Sequence, residues 1–211
     1  PFIIIVTQPD LGTSILLLAN GVSLIIISGI SLWFIILGLL LFLISIPVIW
    51  SILFDYQKQR ILTFLNPEGD PLGSGFTLRQ VELAMSSGGV FGHGLEKTES
   101  LLQTLSTRES DFIYAAIAEQ FGLIAALLVI LLIAIIFWRG ISIAQNSRDI
   151  HGKLLATSLT GLLVVPAIMH IAVNLRLFPA TGIPLTFVSS GGTALMASAT
   201  EMGLHLVCSM V

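Results

Sequence analysis

Residues 112–137 read FIYAAIAEQFGLIAALLVILLIAIIF, and this stretch decides the fold. It exceeds the roughly 20 apolar residues that carry a helix across the hydrocarbon core of a bilayer, and its only formal charge is Glu119. A helix at the surface of a soluble protein keeps a polar face for water, and this run has none. Working outward, residues 33–54 and 154–173 meet the same requirement. Residues 191–209 meet it with two polar interruptions, Glu201 and His205. Segment 14–28 is short, and spans if the preceding turn at 8–12 dips into the membrane or the bilayer thins. The expected fold class is an all-α integral membrane protein. It is a polytopic helical bundle of about five spans plus a partial one, organised as a single membrane domain over 1–211.

Composition agrees. Of 211 residues, 55% are hydrophobic and 10% charged, with a mean hydropathy of +0.99. A soluble domain carries about 25% charged residues, so lipid is the main solvent here. The net charge of −3 leaves no basic footprint for nucleic acid. A single cysteine, Cys208, excludes an intrachain disulfide and a Cys-based zinc site. The chain opens on Pro1 ahead of the apolar run 2–6, which reads as a cut through a helix and predicts a piece of a longer protein.

Positive charge sets the expected orientation. The loop 138–153 carries Arg139, Arg148 and Lys153 against Asp149 alone, which puts it in the cytoplasm. Alternation puts 55–110, 174–190 and the 8–12 turn on the outer side. The longest polar segment, 55–110, is therefore an extracytoplasmic loop. Its own cations, Lys58, Arg60, Arg79, Lys97 and Arg108, count for little because long loops are weak determinants of topology. Within it, Thr77-Leu-Arg-Gln80 has the form of a capping box. Leu78, Val81 and Met85 follow at helical spacing, and Ser86-Ser-Gly-Gly89 stops the helix. Residues 98–105 predict a second short helix through Leu101, Leu102 and Leu105. Two amphipathic helices at the membrane–water interface account for this pattern.

Few residues have the chemistry for a site. Asp111 opens the span 112–137, where a carboxylate stabilises a helix N-terminus by about 0.3–1 kcal/mol. The same position suits a general base at the membrane surface, tuned by the run Arg108-Glu-Ser-Asp111 and shielded by the loop above. Glu119 lies about 12 Å deeper along the helix. A carboxylate at that depth either serves function or bonds a neighbouring helix, with Asn174 and His170 as candidates. Glu201 and His205 share i, i+4 spacing, as do His170 and Asn174. Two histidines and a carboxylate are metal-ligand types, yet polar contact between helices is the simpler reading. Gly88-Gly-Val-Phe-Gly-His-Gly94 lacks the Lys-Ser/Thr of a phosphate loop and reads as a flexible turn. Asp10 reads as a cap for the next span. Residues 174–184 read as a re-entrant or surface loop stiffened by Pro179 and Pro184.

Six strings then follow one another along the chain. They are Gln8-Pro-Asp-Leu-Gly-Thr13, Tyr56-Gln-Lys-Gln-Arg-Ile61, Asn66-Pro-Glu-Gly-Asp-Pro-Leu-Gly73, Ser87-Gly-Gly-Val-Phe-Gly-His-Gly94, Asp111-Phe-Ile-Tyr-Ala-Ala-Ile-Ala-Glu119 and Thr181-Gly-Ile-Pro-Leu-Thr-Phe-Val-Ser-Ser-Gly-Gly192. Together they resemble the SEDS family (shape, elongation, division and sporulation), its RodA branch more than FtsW, over nearly the whole chain. The resemblance implies a bacterial peptidoglycan glycosyltransferase of ten spans, of which this chain is the C-terminal half. It places the protein in the cytoplasmic membrane with the large loop outside. The implied substrates are lipid II and a glycan linked to undecaprenyl pyrophosphate, and the implied partner is a class B penicillin-binding protein. A single-span partner is expected to pack against 112–137 or 154–173, with Ala115, Ala116, Ala118 and Gly122 permitting close helix approach.

The resemblance also implies that Asp111 is the essential aspartate. Substrate contacts are expected at Arg60, Gln80, Ser87, Gly88, Gly89, Lys97, Arg108, Glu109, Ser110 and Ser189. Glycosyl transfer with loss of pyrophosphate needs a base for the attacking hydroxyl and positive charge for the leaving group. Arg60, Lys97 and Arg108 are candidates for the second role. A divalent cation, Mg or Mn, is expected to share that charge, although no ligand cluster marks its site. Two rival readings use the same features: a flippase of lipid-linked precursors gated by Glu119, Glu201 and His205, and a non-catalytic membrane scaffold for the penicillin-binding protein. Three departures from the family pattern stand out. Leu105-Ser-Thr107 stands where Leu-Pro-Glu is usual, Thr186 where Pro is usual, and Ser190 where Tyr is usual.

Overall fold

The computed structural model describes residues 11–69, 73–94, 111–147, 149–189 and 192–210. All regular elements among them are helical. In chain order they are α1 (Leu11–Ile27), α2 (Leu32–Ile52), α3 (Asp55–Leu65), a 3₁₀ turn (Pro67–Gly69), α4 (Ser74–Ser87), α5 (Ile113–Asn146), α6 (Ile150–Asn174) and α7 (Gly192–Met210). The helices α2, α5 and α6 are long and apolar enough to cross a membrane, and α1 is a shorter apolar helix. The α7 helix takes the position of the last expected span, with Glu201 and His205 inside it. Helices suit this composition because hydrocarbon offers backbone groups no partners, so each segment must satisfy its own.

The hub is α6, which packs on α1, α5 and α7 and more lightly on α4. Close approach depends on small and polar residues. Asn20 Nδ2 donates to Ser158 Oγ at 3.4 Å, and a Cβ on Gly161 would sit 2.5 Å from Asn20 Oδ1. Thr160 Oγ1 lies 2.9 Å from His205 Nε2, and a Cβ on Gly140 would come within 2.2 Å of the same hydroxyl. Such bonds contribute about 0.6 kcal/mol each on average inside a membrane. His205 thus joins two helices. Among the described residues no group of three or more His, Cys, Asp and Glu side chains could hold a metal.

The polar segments differ from their expected form in four ways. The α5 element covers 34 residues in two helical parts that meet at Gly122, and the second part runs on to Asn146. It absorbs most of the expected 138–153 loop, leaving 147–149 as the connection to α6. There Asp149 Oδ2 accepts from Gly152 N at 3.3 Å. Second, Tyr56-Gln-Lys-Gln-Arg-Ile61 lies in α3, a helix the apolar pattern did not foresee. Third, α4 starts at Ser74 with Gly73 at the N-cap and no side-chain cap bond, so Thr77 and Gln80 sit inside the helix and form no capping box. Of its expected apolar stripe, Leu78 and Val81 are buried and Met85 is partly buried, and Ala84 is buried beside them. Val81 and Ala84 pack with Phe112, Ala115, Ala116 and Val173, and Met85 lies against the same cluster, so the helix faces the bundle rather than a lipid surface. Full burial of side chains such as Leu and Val stabilises by about 1.5–3 kcal/mol each. The expected helix at 98–105 and the Asp10 cap lie outside the described residues.

The fourth difference is the glycine run. At Gly122, with φ 77° and ψ −172°, the α5 backbone leaves helical geometry. A break inside a membrane is tolerated only where the freed backbone groups find other partners, and the 88–94 segment provides them. His93 N donates to Glu119 O (3.2 Å), Gly94 N to Gln120 O (2.9 Å), Leu123 N to Gly89 O (2.9 Å) and Ile124 N to Val90 O (3.4 Å). Only glycine permits this approach: a Cβ on Gly88 would lie 2.1 Å from Ala118 O, and one on Gly92 2.2 Å from Gln120 O. The expected flexible turn is a fixed clasp. The same packing corrects the expected partner face, because Ala115, Ala116, Ala118 and Gly122 are all buried within the chain.

Candidate active site at the mouth of α5

Asp111 stands just before α5. The N-cap position itself falls on Phe112, which has no side-chain cap bond. A cavity of about 160 Å³ opens beside it. Its wall from α3 is Arg60, Thr63 and Phe64, and its wall from α4 is Thr77 and Leu78. Asp111 and Phe112 form the third side, and Ala180 and Gly182 from the segment after α6 form the fourth. Ligand pockets commonly run to 300–1,000 Å³. Formed from the described residues, this cavity is smaller than that range.

Local sequence explains how each wall arrives. α3 begins with a reciprocal exchange, Gln57 N donating to Phe54 O (3.0 Å) and Phe54 N donating to Gln57 Oε1 (3.1 Å). Its buried side carries Gln57 and Thr63, which leaves Arg60 exposed with its Nη1 donating to Ala180 O at 3.3 Å. The segment after α6 is pulled inward by Ile183 and Leu185, both buried, with Leu185 among Tyr114, Ala118, Ala167 and Ile171. The prolines foretold a stiff loop, and this one enters the bundle. Thr186, the residue that departs from the family pattern, donates to Leu163 O at 2.9 Å, close to Pro166, which has no N–H to give the helix. Gly182 has φ 70°, and a Cβ there would meet Asp111 Oδ2 at 3.9 Å.

The last turn of α6 ties these walls together. His170, 1% exposed, is bonded through Nδ1 to Ile183 O at 2.8 Å, while its Nε2 has no partner among the described residues. Asn174 bonds both Ala115 N (3.1 Å) and Asp111 O (3.4 Å). The expected partnership of Glu119 with these two residues is not what forms, since their bonds run to Ala115, Asp111 and Ile183.

The other expected site residues fall in two groups. Lys97, Arg108, Glu109 and Ser110 lie outside the described residues. Gln80, Ser87, Gly88, Gly89 and Ser189 are described, and none of them lines the cavity. Gln80 keeps a buried Oε1 without a partner among the described residues. Ser87 Oγ donates to Ala84 O at 2.8 Å, Gly88 and Gly89 belong to the clasp, and Ser189 is buried with its N–H on Leu185 O. Sequence reasoning missed Thr77, Gly182, His170 and Asn174 as site-builders. It also missed Arg176, which pairs with Glu82 beside an open groove of about 550 Å³ that shares Phe64 with the cavity. The i, i+4 pair His170/Asn174 was the one visible signal.

Fold and site define a polytopic helical membrane protein with a carboxylate and a guanidinium at the mouth of a long span. The family of FtsW, RodA and SpoVE, described as cell cycle protein, matches residues 1–210, and the chain belongs to it. It is thus a bacterial membrane protein. It is 37% identical to peptidoglycan glycosyltransferase MrdB of Escherichia coli (strain K12) over 97% of this chain and 56% of that relative. It is 35% identical to stage V sporulation protein E of Bacillus subtilis (strain 168), with the same coverage. A probable peptidoglycan glycosyltransferase FtsW from Trichlorobacter lovleyi is 34% identical over 96% of the chain and 53% of its own length. Among solved structures, a chain described under "Structural coordination of polymerization and crosslinking by a peptidoglycan synthase complex" shares the fold. Its TM-score is 0.77 at 24% identity, over 97% of this chain and 57% of that one. The chain therefore spans little more than half the length of these relatives.

Proposed function

We propose that this chain works as the C-terminal half of a ten-span protein that polymerises peptidoglycan glycan strands from lipid II at the outer face of the bacterial cytoplasmic membrane. The observation that carries the reading is one cavity lined by both Asp111 and Arg60, in a chain whose relatives are named peptidoglycan glycosyltransferases. In the proposed step Asp111 takes the proton of the C4 hydroxyl of lipid II. The oxygen bonds the anomeric carbon of the growing glycan, and the bond from that carbon to the pyrophosphate oxygen breaks. The electron pair leaves with undecaprenyl pyrophosphate, whose charge Arg60 faces. Among the described residues a lone carboxylate beside an arginine does not make a resident site for Mg or Mn, so no step depends on one. The solved chain of the same fold comes from a peptidoglycan synthase complex, which supports a class B penicillin-binding protein as partner.

Purified full-length protein in liposomes tests the reading. Glycan strands formed from lipid II support it. Lipid II translocation without polymerisation favours the flippase, and neither activity favours the scaffold. Arg60→Ala is expected to slow polymerisation about 10–100-fold, the equivalent of about 1.5–3 kcal/mol for a hydrogen bond to a charged group, with Arg60→Lys recovering part. An unchanged Arg60→Ala rate removes Arg60 from the leaving-group role.

Sidedness has its own test. In a Cys208→Ser background, an impermeant thiol reagent on intact spheroplasts is expected to label Asp70→Cys and leave Gln145→Cys unlabelled. The reverse pattern overturns the orientation.

A further inference from the structure

We infer that Asn174 is the positioning residue of this site, holding the Asp111 turn in register with α6 through its backbone. The inference rests on the reading of Asp111 as the base. Asn174 is 1% exposed and ends α6. Its side chain is fully engaged: Oδ1 accepts from Ala115 N at 3.1 Å, while Nδ2 donates to His170 O at 2.8 Å and to Asp111 O at 3.4 Å.

Each bond answers a need. The first backbone N–H groups of a helix lack partners within it, and Phe112 at the N-cap has no side-chain acceptor to offer. The third residue of α5, Ala115, gives its N–H to Asn174 instead, so a residue from another helix does the capping. On the other side of the same amide, Nδ2 holds the carbonyl of Asp111 itself. One turn earlier, His170 Nδ1 bonds Ile183 O, next to Gly182, which lines the cavity opposite Asp111. The end of α6 therefore sets both sides of the gap in which a hydroxyl would have to lie. Asn174 does so without touching the carboxylate.

Capping needs only the acceptor, whereas positioning needs the donor as well, and two substitutions in the full-length protein separate the roles. Asn174→Asp keeps an oxygen for Ala115 N and loses both N–H bonds. Asn174→Ala loses everything. Hydrogen exchange of peptides covering 111–118 is expected to rise in Asn174→Ala and stay near wild type in Asn174→Asp, a readout independent of any activity. In liposomes, Asn174→Asp is expected to lower kcat for lipid II polymerisation about 10–100-fold with KM within about twofold, because small displacements of a reacting group cost rates of this order. That loss is expected to persist when pH is raised, which excludes as its cause an Asp111 kept protonated by the second carboxylate. Wild-type kcat in Asn174→Asp, or restoration of its kcat at higher pH, overturns the positioning role and leaves a cap. Unchanged exchange in Asn174→Ala overturns the clamp itself. If instead Asp111→Asn retains activity, the base reading fails while the exchange result stands on its own.

Discussion

Asp111→Asn in the full-length protein is expected to insert and fold as wild type and to polymerise lipid II about 10²–10⁴-fold more slowly, the usual contribution of a general base. A sugar hydroxyl attacks poorly unless its proton is taken as the new bond forms. Among the residues lining the cavity, Asp111 is the carboxylate. Asparagine keeps its size and hydrogen-bonding shape and cannot accept that proton. The backbone contacts at this turn, to Asn174 and from Ala116 N to Phe112 O, do not use the side chain, so insertion and folding are expected to be retained. Single-turnover assays on detergent-purified protein, with unfolding followed in parallel, provide the measurement. A near-wild-type rate would sink the assignment and return Asp111 to a structural role at the helix start.

The second large effect belongs to the clasp. Gly122→Ala is expected to destabilise the protein by about 3 kcal/mol or more. The backbone at φ 77°, ψ −172° lies in a region essentially closed to residues with a Cβ, costing about 1–3 kcal/mol by itself. The new methyl would then lie 2.4 Å from both Gly92 N and Val90 O, and forcing atoms into a filled site adds about 1–3 kcal/mol. Neither neighbour is the end of a flexible side chain, so relief requires the 88–94 segment to lift off α5 and leave backbone groups unpaired. Gly38→Ala on α2 is the control, since a Cβ there meets nothing within 4 Å. It is expected to be neutral or to gain up to about 1 kcal/mol in helix propensity. Equal unfolding temperatures for the two variants would show that the clasp contributes nothing.

Much of the fold was legible because apolar length is a property of one segment at a time. Residues 33–54, 112–137 and 154–173 each carry enough hydrocarbon to require lipid or protein around a helix, whatever the rest of the chain does. Asp111 was legible for a similar reason, as a carboxylate at the edge of such a run. The turn chemistry read less well. Thr77 and Gln80 have the spacing of a capping box, yet Ser74 is where α4 begins. The burial of Val81 and Ala84 against α5 and α6 outweighs a cap worth about 1 kcal/mol.

The sequence by itself determined that this is a helical membrane protein, where most of its spans lie, and which carboxylate stands at the mouth of α5. Only the tertiary structure decided what surrounds that carboxylate. Arg60, Thr77, Gly182 and Asn174 come from four separate segments, and nothing local to any of them signals the others. The glycines of 88–94 carry the same lesson. A residue without a Cβ is free to turn when considered alone, and becomes a rigid contact only when a second backbone, here the break at Gly122, occupies the space a side chain would need.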